Sequence, residues 1–217
     1  MVAPRRRNRR FLMTADGAKV FLVDDDLQVR EGLSRLLRSH GWQVDAYASA
    51  EEFLRQLPER AVGSVLLDIR MPGLTGTDLH DRLNACGSAL SIIYLTAHST
   101  VPVSVRAMKH GAYDFLEKPV DEAVLLAALE GATEQSMQRV ASADRSADVH
   151  ERLDALTSRE REVMSQVIAG RMNKQIADDL GIALRTVKVH RSRMMSKMRV
   201  RSVAQLVSLC DGAGIRT

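Results

Sequence analysis

KVFLVDDD, residues 19–26, is a short apolar run rich in strand-forming residues that stops on three consecutive carboxylates. Three later runs stop in a comparable way: SVLL (64–67) on Asp68, SIIYL (91–95) on Thr96 and YDFLE (113–117) on Lys118. As parallel strands of one sheet, they bring the acids, the hydroxyl and the ammonium together at the sheet's carboxyl edge. That edge is where open α/β sheets bind ligands.

Helical spacing fills the gaps between the runs. Val29, Leu33, Leu36 and Leu37 recur at helical intervals over 27–39, and Gly41 closes that helix. WQVDAY (42–47) alternates as a strand, and Ser49 with Glu52 predicts a capping box on the next helix. The loop RMPGLTG (70–76) precedes a helix near 77–85, a fourth helix is expected at about 101–110, and Asp121 caps a fifth through LLAALEGATEQSM (125–137). Five βα units predict a five-stranded, doubly wound parallel sheet with helices on both faces. Residues 139–152 are poor in long apolar side chains and read as a linker or as a solvated extension of the fifth helix. Only helical patterns follow. The expected layout is a basic extension (1–18), an α/β domain (19–138), a linker (139–152) and an all-α domain (153–217).

An apolar content of 45% excludes wholesale disorder. No apolar stretch approaches the roughly 18 residues of a membrane span, and the piece after the first arginines is too short for a secretory signal. A cytoplasmic protein without a membrane partner is expected. Cys86 and Cys210 are far apart with no ligand spacing, so both are expected as free thiols, and the six histidines form no zinc motif. The net charge of +4 is unevenly spread: +4 over residues 1–18, −5 over 19–140 and +5 over 141–217. Nucleic acid therefore belongs with the second domain. The arginines of residues 5–10 have three alternative readings: a solvated extension, a nonspecific DNA contact, or untranslated sequence ahead of a start at Met13.

A carboxylate takes a phosphoryl group when a cation neutralises the developing charge. Asp24 and Asp25 supply a pocket for a hard divalent cation, Mg2+ or Mn2+. Asp68 is the candidate acceptor, Lys118 pairs with a phosphoryl oxygen and Thr96 donates to another. Singly, each residue has a plainer reading: Asp24 or Asp26 as a helix cap, Thr96 as another, Lys118 as a solvated lysine. Their conjunction at successive strand ends favours the site.

VFLVDDD, LLDIRMPGLTG, IIYLTAH and YDFLEKP closely resemble the receiver domains of bacterial two-component response regulators, with coverage over 19–138. The resemblance implies a flavodoxin-like fold, Asp68 as phosphoacceptor, Asp25 as direct metal ligand beside Asp24, and the Arg70 backbone carbonyl as a further ligand. It also implies Thr96 and Phe115 as switch residues, Lys118 as the site lysine, and a cis Lys118–Pro119 bond. Many receivers carry Tyr where this chain has Phe115, which keeps the packing role without the hydroxyl. The chemistry is then limited to the protein's own phosphotransfer and dephosphorylation, and the chain is not otherwise an enzyme.

In the second domain, Thr157 and Glu160 form a capping box. The first helix stops at Gly170, Asn173 is expected to cap KQIADDL (174–180), and a third helix follows Gly181. Two short helices about a Gly-containing turn predict a helix-turn-helix. On the third helix Val187, Met194 and Met198 form one face, with His190 and Arg191 flanking. Arg185, Val189, Ser192 and Ser196 lie opposite, edged by Lys188 and Arg193. Cations, hydroxyls and a small apolar group suit a major groove, although basic helix faces are often only solvated. LTSREREV, AGRMNKQIADDLGI, TVKVHRSRMMSKM and RSVAQLV are similar to the LuxR-type domain of NarL/FixJ-class regulators, with coverage over 153–210. Candidate contacts to double-stranded DNA are Asn173, Lys174, Arg185, Thr186, Lys188, Val189, His190, Ser192 and Arg193. Ala183 departs from the Ser or Thr that often caps this helix.

The resemblance implies a regulator phosphorylated by a sensor histidine kinase, which dimerises through its receiver, binds promoters and activates RNA polymerase. Two other readings compete. One is a DNA-binding protein with a vestigial receiver. The other is a haloacid-dehalogenase-type phosphatase built on Asp24-x-Asp26, whose motif wants Thr or Val where this chain has Gln28.

Overall fold

A computed structural model describes residues 19–97 and 108–214. The basic extension (1–18) and most of the expected fourth helix lie outside the described residues. The chain forms two compact units that part between Val140 and Ala141.

In the first unit, strands β1 (Lys19–Val23), β2 (Val44–Tyr47), β3 (Gly63–Asp68), β4 (Ser91–Thr96) and β5 (Asp114–Glu117) form one parallel sheet in the order β2-β1-β3-β4-β5. Helices α1 (Leu27–Ser39), α2 (Ala50–Gln56), α3 (Gly76–Ala85) and α4 (Glu122–Asp154) accompany it. Strand side chains alternate between two cores. Phe21, Val23, Val65, Leu67, Ile92 and Tyr94 pack with Phe53 of α2 and Leu79 of α3. Val20, Leu22, Leu66, Ile93 and Leu95 pack with Leu37 of α1 and Leu125 and Leu129 of α4. The sheet is thus doubly wound, and its central strands read as unbroken apolar runs because both faces are covered. Full burial of one such side chain is worth about 1.5–3 kcal/mol.

Caps set the helix starts. Asp26 accepts from the Gln28 and Val29 N–H groups at the head of α1, and Thr75 and Asp78 form a reciprocal box on α3. Asp121 accepts from the Ala123 and Val124 N–H groups at the head of α4. The box expected at α2 is altered: Ser49 accepts from the Glu52 N–H, but Glu52 Oε2 takes the Ala48 N–H instead of that of Ser49. The stretch 139–152 lies wholly inside α4 and is helical.

In the second unit, α5 (Ser158–Ile168), α6 (Asn173–Leu180), α7 (Leu184–Lys197) and α8 (Val203–Gly212) close over Val163, Val167, Ile176, Val187, Met194, Met198 and Leu206. Val149 and Leu153 of α4 belong to the same core. Gly181 ends α6 in the left-handed region at φ 61°, which makes the tight turn into α7. The N-cap of α6 is Met172, not Asn173. Gln175 Oε1 accepts the Met172 N–H at 2.9 Å, while Asn173 Oδ1 is taken by Arg191 Nη1 at 2.7 Å. Cys86 and Cys210 are free thiols. No helix among the described residues is long and apolar enough to cross a membrane.

Candidate functional site

Four strand ends build the site. β1 delivers Asp24 and Asp25 just past Val23, β3 ends on Asp68, β4 ends on Thr96, and Lys118 follows β5. Asp24 is fully buried and Thr96 is buried two strands away, on the far side of β3, whereas Asp25 is exposed and Asp68 half-buried. Oxygens of Asp24, Asp25 and Asp68 lie within 4.8 Å of one another. Lys118 Nζ reaches Asp24 Oδ2 at 2.5 Å and Asp68 Oδ2 at 3.3 Å. The Lys118 N–H donates to the Thr96 carbonyl at 2.7 Å, fixing the two strand ends together. The Lys118–Pro119 peptide is cis.

The electrostatics follow from burial. Burial raises the Asp68 pKa; the Lys118 charge opposes that rise and Asp24 adds to it. Burial alone would lower the Lys118 ammonium. The hydrogen bond and charge of Asp24, with the charge of Asp68, outweigh it and hold Lys118 above its ordinary value. Two carboxylates therefore share one ammonium, and a third, Asp25, adjoins them. An oxygen-only cluster with uncompensated negative charge fits a hard divalent cation.

The second layer was not read from sequence. Arg30 Nη1 donates to the Asp24 carbonyl at 2.6 Å, and the Asp26 N–H donates to Asp24 Oδ1 at 3.0 Å. The Arg70 N–H donates to Asp68 Oδ1 at 3.4 Å. Gly76 abuts Asp68: a Cβ there would sit 2.2 Å from the Asp68 carbonyl oxygen, so only glycine permits this approach. Its presence in a Gly-containing loop was visible, but not what it touches. Asp26 caps α1, which removes the second carboxylate from the phosphatase reading of Asp24-x-Asp26. Phe115 is partly buried, its ring 6.4 Å from that of Tyr94.

On the helix-turn-helix, Val187, Met194 and Met198 are fully buried. Arg185, Lys188, Val189, Ser192 and Arg193 are exposed, as is Lys174 on α6. Asn173, Thr186 and His190 are half-buried, and His190 Nδ1 is buried without a hydrogen bond. Ala183 caps α7 with no side-chain bond.

This arrangement is that of a two-component regulator with an output domain. Residues 20–130 match the response regulator receiver domain and residues 154–210 match the bacterial regulatory proteins of the luxR family. The chain belongs to the response regulators that join these two domains, the NarL/FixJ type. It is 41% identical to nodulation protein W of Bradyrhizobium diazoefficiens, over 91% of this chain and 87% of that one. It is 44% identical to the tetrathionate response regulatory protein TtrR of Salmonella typhimurium, over 88% and 90%. Among solved structures, the response regulator StyR matches with a TM-score of 0.81 at 44% identity, over 90% of this chain and 98% of that one. Full-length FixJ from B. japonicum matches at 0.56 and 40%, over 92% and 98%. The LuxR-family domain implies DNA binding, and the receiver implies a sensor kinase as partner. The protein is a regulator and not a classical enzyme.

Proposed function

We propose that Asp68 accepts a phosphoryl group from a sensor histidine kinase, and that the modified receiver dimerises and switches promoter binding by the helix-turn-helix. Transcription is activated through RNA polymerase. The observation that carries this reading is the place of the Asp68 carboxylate, 3.3 Å from Lys118 Nζ and clustered with Asp24 and Asp25. In the transfer an Asp68 oxygen bonds to phosphorus, the phosphorus–nitrogen bond to the donor imidazole breaks, and the imidazole leaves with the electron pair and takes up a proton.

Asp24, Asp25, Asp68 and the Arg70 backbone carbonyl are the proposed ligands of Mg2+ or Mn2+, which when bound neutralises charge on the phosphoryl oxygens. Lys118 pairs with one of those oxygens and the Thr96 hydroxyl donates to another. The transfer adds about −1.5 to −2 charge, so Thr96 is drawn inward and Phe115 follows into the space it leaves. On DNA, Lys174, Arg185, Lys188 and Arg193 contact phosphate or guanine, and Val189 meets a thymine methyl. Asn173, Thr186, His190 and Ser192 complete the contact surface.

The test is intact-mass analysis after incubation with acetyl phosphate and Mg2+. The native chain gains one phosphoryl group and Asp68→Asn gains none. Full labelling of Asp68→Asn on another residue overturns the assignment.

A further inference from the structure

Away from the acidic cluster, the first unit buries a titratable pair that the transfer chemistry does not use. His80 of α3 is 2% exposed and Tyr94 of β4 is 1% exposed. His80 Nδ1 and the Tyr94 phenol oxygen share a hydrogen bond of 3.0 Å, and their rings lie 5.7 Å apart. Burial lowers the His80 pKa against the opposing charge of Asp81 and raises that of the Tyr94 phenol. Both groups are therefore neutral at pH 7. Leu79 and Leu83 on the same helix show that an apolar side chain suits this core. Among the described residues, His80 Nδ1 and the Tyr94 hydroxyl are each other's hydrogen-bond partner, which makes the bond costly to break.

The position of the pair gives it a consequence. α3 starts with its Gly76 backbone pressed on the Asp68 carbonyl, and the Gly76 N–H donates to the Ile69 carbonyl at 3.1 Å. His80 is one turn further along the same helix face. It holds the Tyr94 hydroxyl, and Tyr94 is the register partner of Phe115 across β4 and β5, with the two rings in contact. Tyr94 also precedes Thr96 by two residues on one face of β4. A continuous line of contacts thus runs from the backbone of Asp68 through α3 to Phe115, separate from the line through Thr96.

We propose that His80 and Tyr94 are a positioning pair that ties Phe115 to the phosphoacceptor, passing a displacement of the 68–76 loop to the aromatic ring through their shared hydrogen bond. This rests on Asp68 being the residue phosphorylated. A displacement of α3 relative to β4 then moves Tyr94, because the bond is its only polar anchor among those described, and Tyr94 moves Phe115.

The test uses the full chain with 4-fluorophenylalanine in place of Phe, the Phe115 fluorine resonance being assigned from Phe115→Leu. Acetyl phosphate with Mg2+ is the probe, and phosphoryl uptake is followed on phosphate-affinity gels in the same samples. The native chain shows a shifted Phe115 resonance on phosphorylation. His80→Leu, and His80→Leu/Tyr94→Phe, in which no hydroxyl is orphaned, take up the phosphoryl group to the native level. In both, the ratio of shifted to unshifted Phe115 falls about fivefold, the worth of one net hydrogen bond. His80→Asn, which keeps a hydrogen-bonding atom near Nδ1, retains the native ratio. A native ratio in the double variant overturns the proposal, whatever the fate of the single variant. Absence of phosphoryl uptake by the native chain overturns the phosphoacceptor reading first, and this one with it.

Discussion

Glu160→Gln removes a charge from the second unit without removing its shape. The Glu160 side chain is 3% exposed. Its Oε2 accepts from Lys197 Nζ at 2.7 Å and from the Thr157 N–H at 2.9 Å. The Lys197 hydrogen bond, then that of the Thr157 backbone, hold the carboxyl at about 2 against an ordinary 4.5. At roughly 1.4 kcal/mol per tenfold change in proton affinity this amounts to about 3 kcal/mol. Lys197 is 36% exposed, and solvent screening reduces the figure to about 2 kcal/mol. Because the folded pKa is depressed, the unfolded chain binds the proton first. The stability is complete above about pH 5 and is lost as pH falls from 4.5 through 2, with about three-fifths gone by pH 3. Trp42 and the three tyrosines all precede residue 120. Tryptophan fluorescence thus reports the receiver, and far-UV circular dichroism adds the helices of the second unit. In urea titrations at pH 6 and pH 3, the native second-unit transition weakens on acidification. Glu160→Gln starts about 2 kcal/mol lower at pH 6 and loses much less, with an unchanged Trp42 transition. Equal acid losses in the two proteins would refute the reasoning.

Gly76→Ala places a methyl 2.2 Å from the Asp68 carbonyl oxygen; it destabilises the receiver by about 1–3 kcal/mol in Trp42-monitored denaturation and slows acetyl phosphate labelling, and a native midpoint with native labelling counts against the close approach. Ala183→Ser supplies the side-chain cap that α7 lacks; the second unit gains about 1 kcal/mol, read as a rise of about 4–8 °C in its melting midpoint, and an unchanged or lower midpoint contradicts the cap geometry. Added Mg2+ raises the receiver's melting midpoint by binding the folded state alone; in Asp25→Asn that rise is lost, and its persistence would place the ion elsewhere.

The sheet was legible because its central strands are covered on both faces, so KVFLV, SVLLD and SIIYL needed no alternation to declare themselves. The edge of the site was legible for the same reason: a polar residue ending such a run has one place to go. Asp26, Thr75, Asp121 and Thr157 act within a few residues of themselves, and local pattern suffices for them. Local pattern misled at Asn173. A cap was the natural local role, but Arg191, 18 residues away, takes its side-chain oxygen. His80 and Tyr94 are 14 residues apart on different elements, and Arg30 reaches the Asp24 carbonyl only because α1 folds back beside β1. Contacts set by packing between elements leave no mark on periodicity.

Lys118 and Lys197, each paired with a buried carboxylate, show why one lysine marks a site and the other a fastening. Glu160 faces a single ammonium, Lys197, and its remaining capacity is met by the Thr157 backbone. Charge is balanced one to one, and nothing external is required. Lys118 faces Asp24 and Asp68, with Asp25 adjoining. No described cation beyond Lys118 is ion-paired to these three acids, which leaves an excess of about two negative charges in a partly desolvated cleft. Such an excess is unfavourable by several kcal/mol unless a counter-ion enters or a carboxyl takes a proton; burial is the main cause that raises the Asp68 pKa, with the Lys118 charge opposing it and the Asp24 charge adding to it. A divalent cation would relieve the excess without consuming the carboxylate, and a phosphoryl group transferred to Asp68, as proposed, would restore it. On the proposed function, that imbalance is what would let modification of Asp68 move the residues around it.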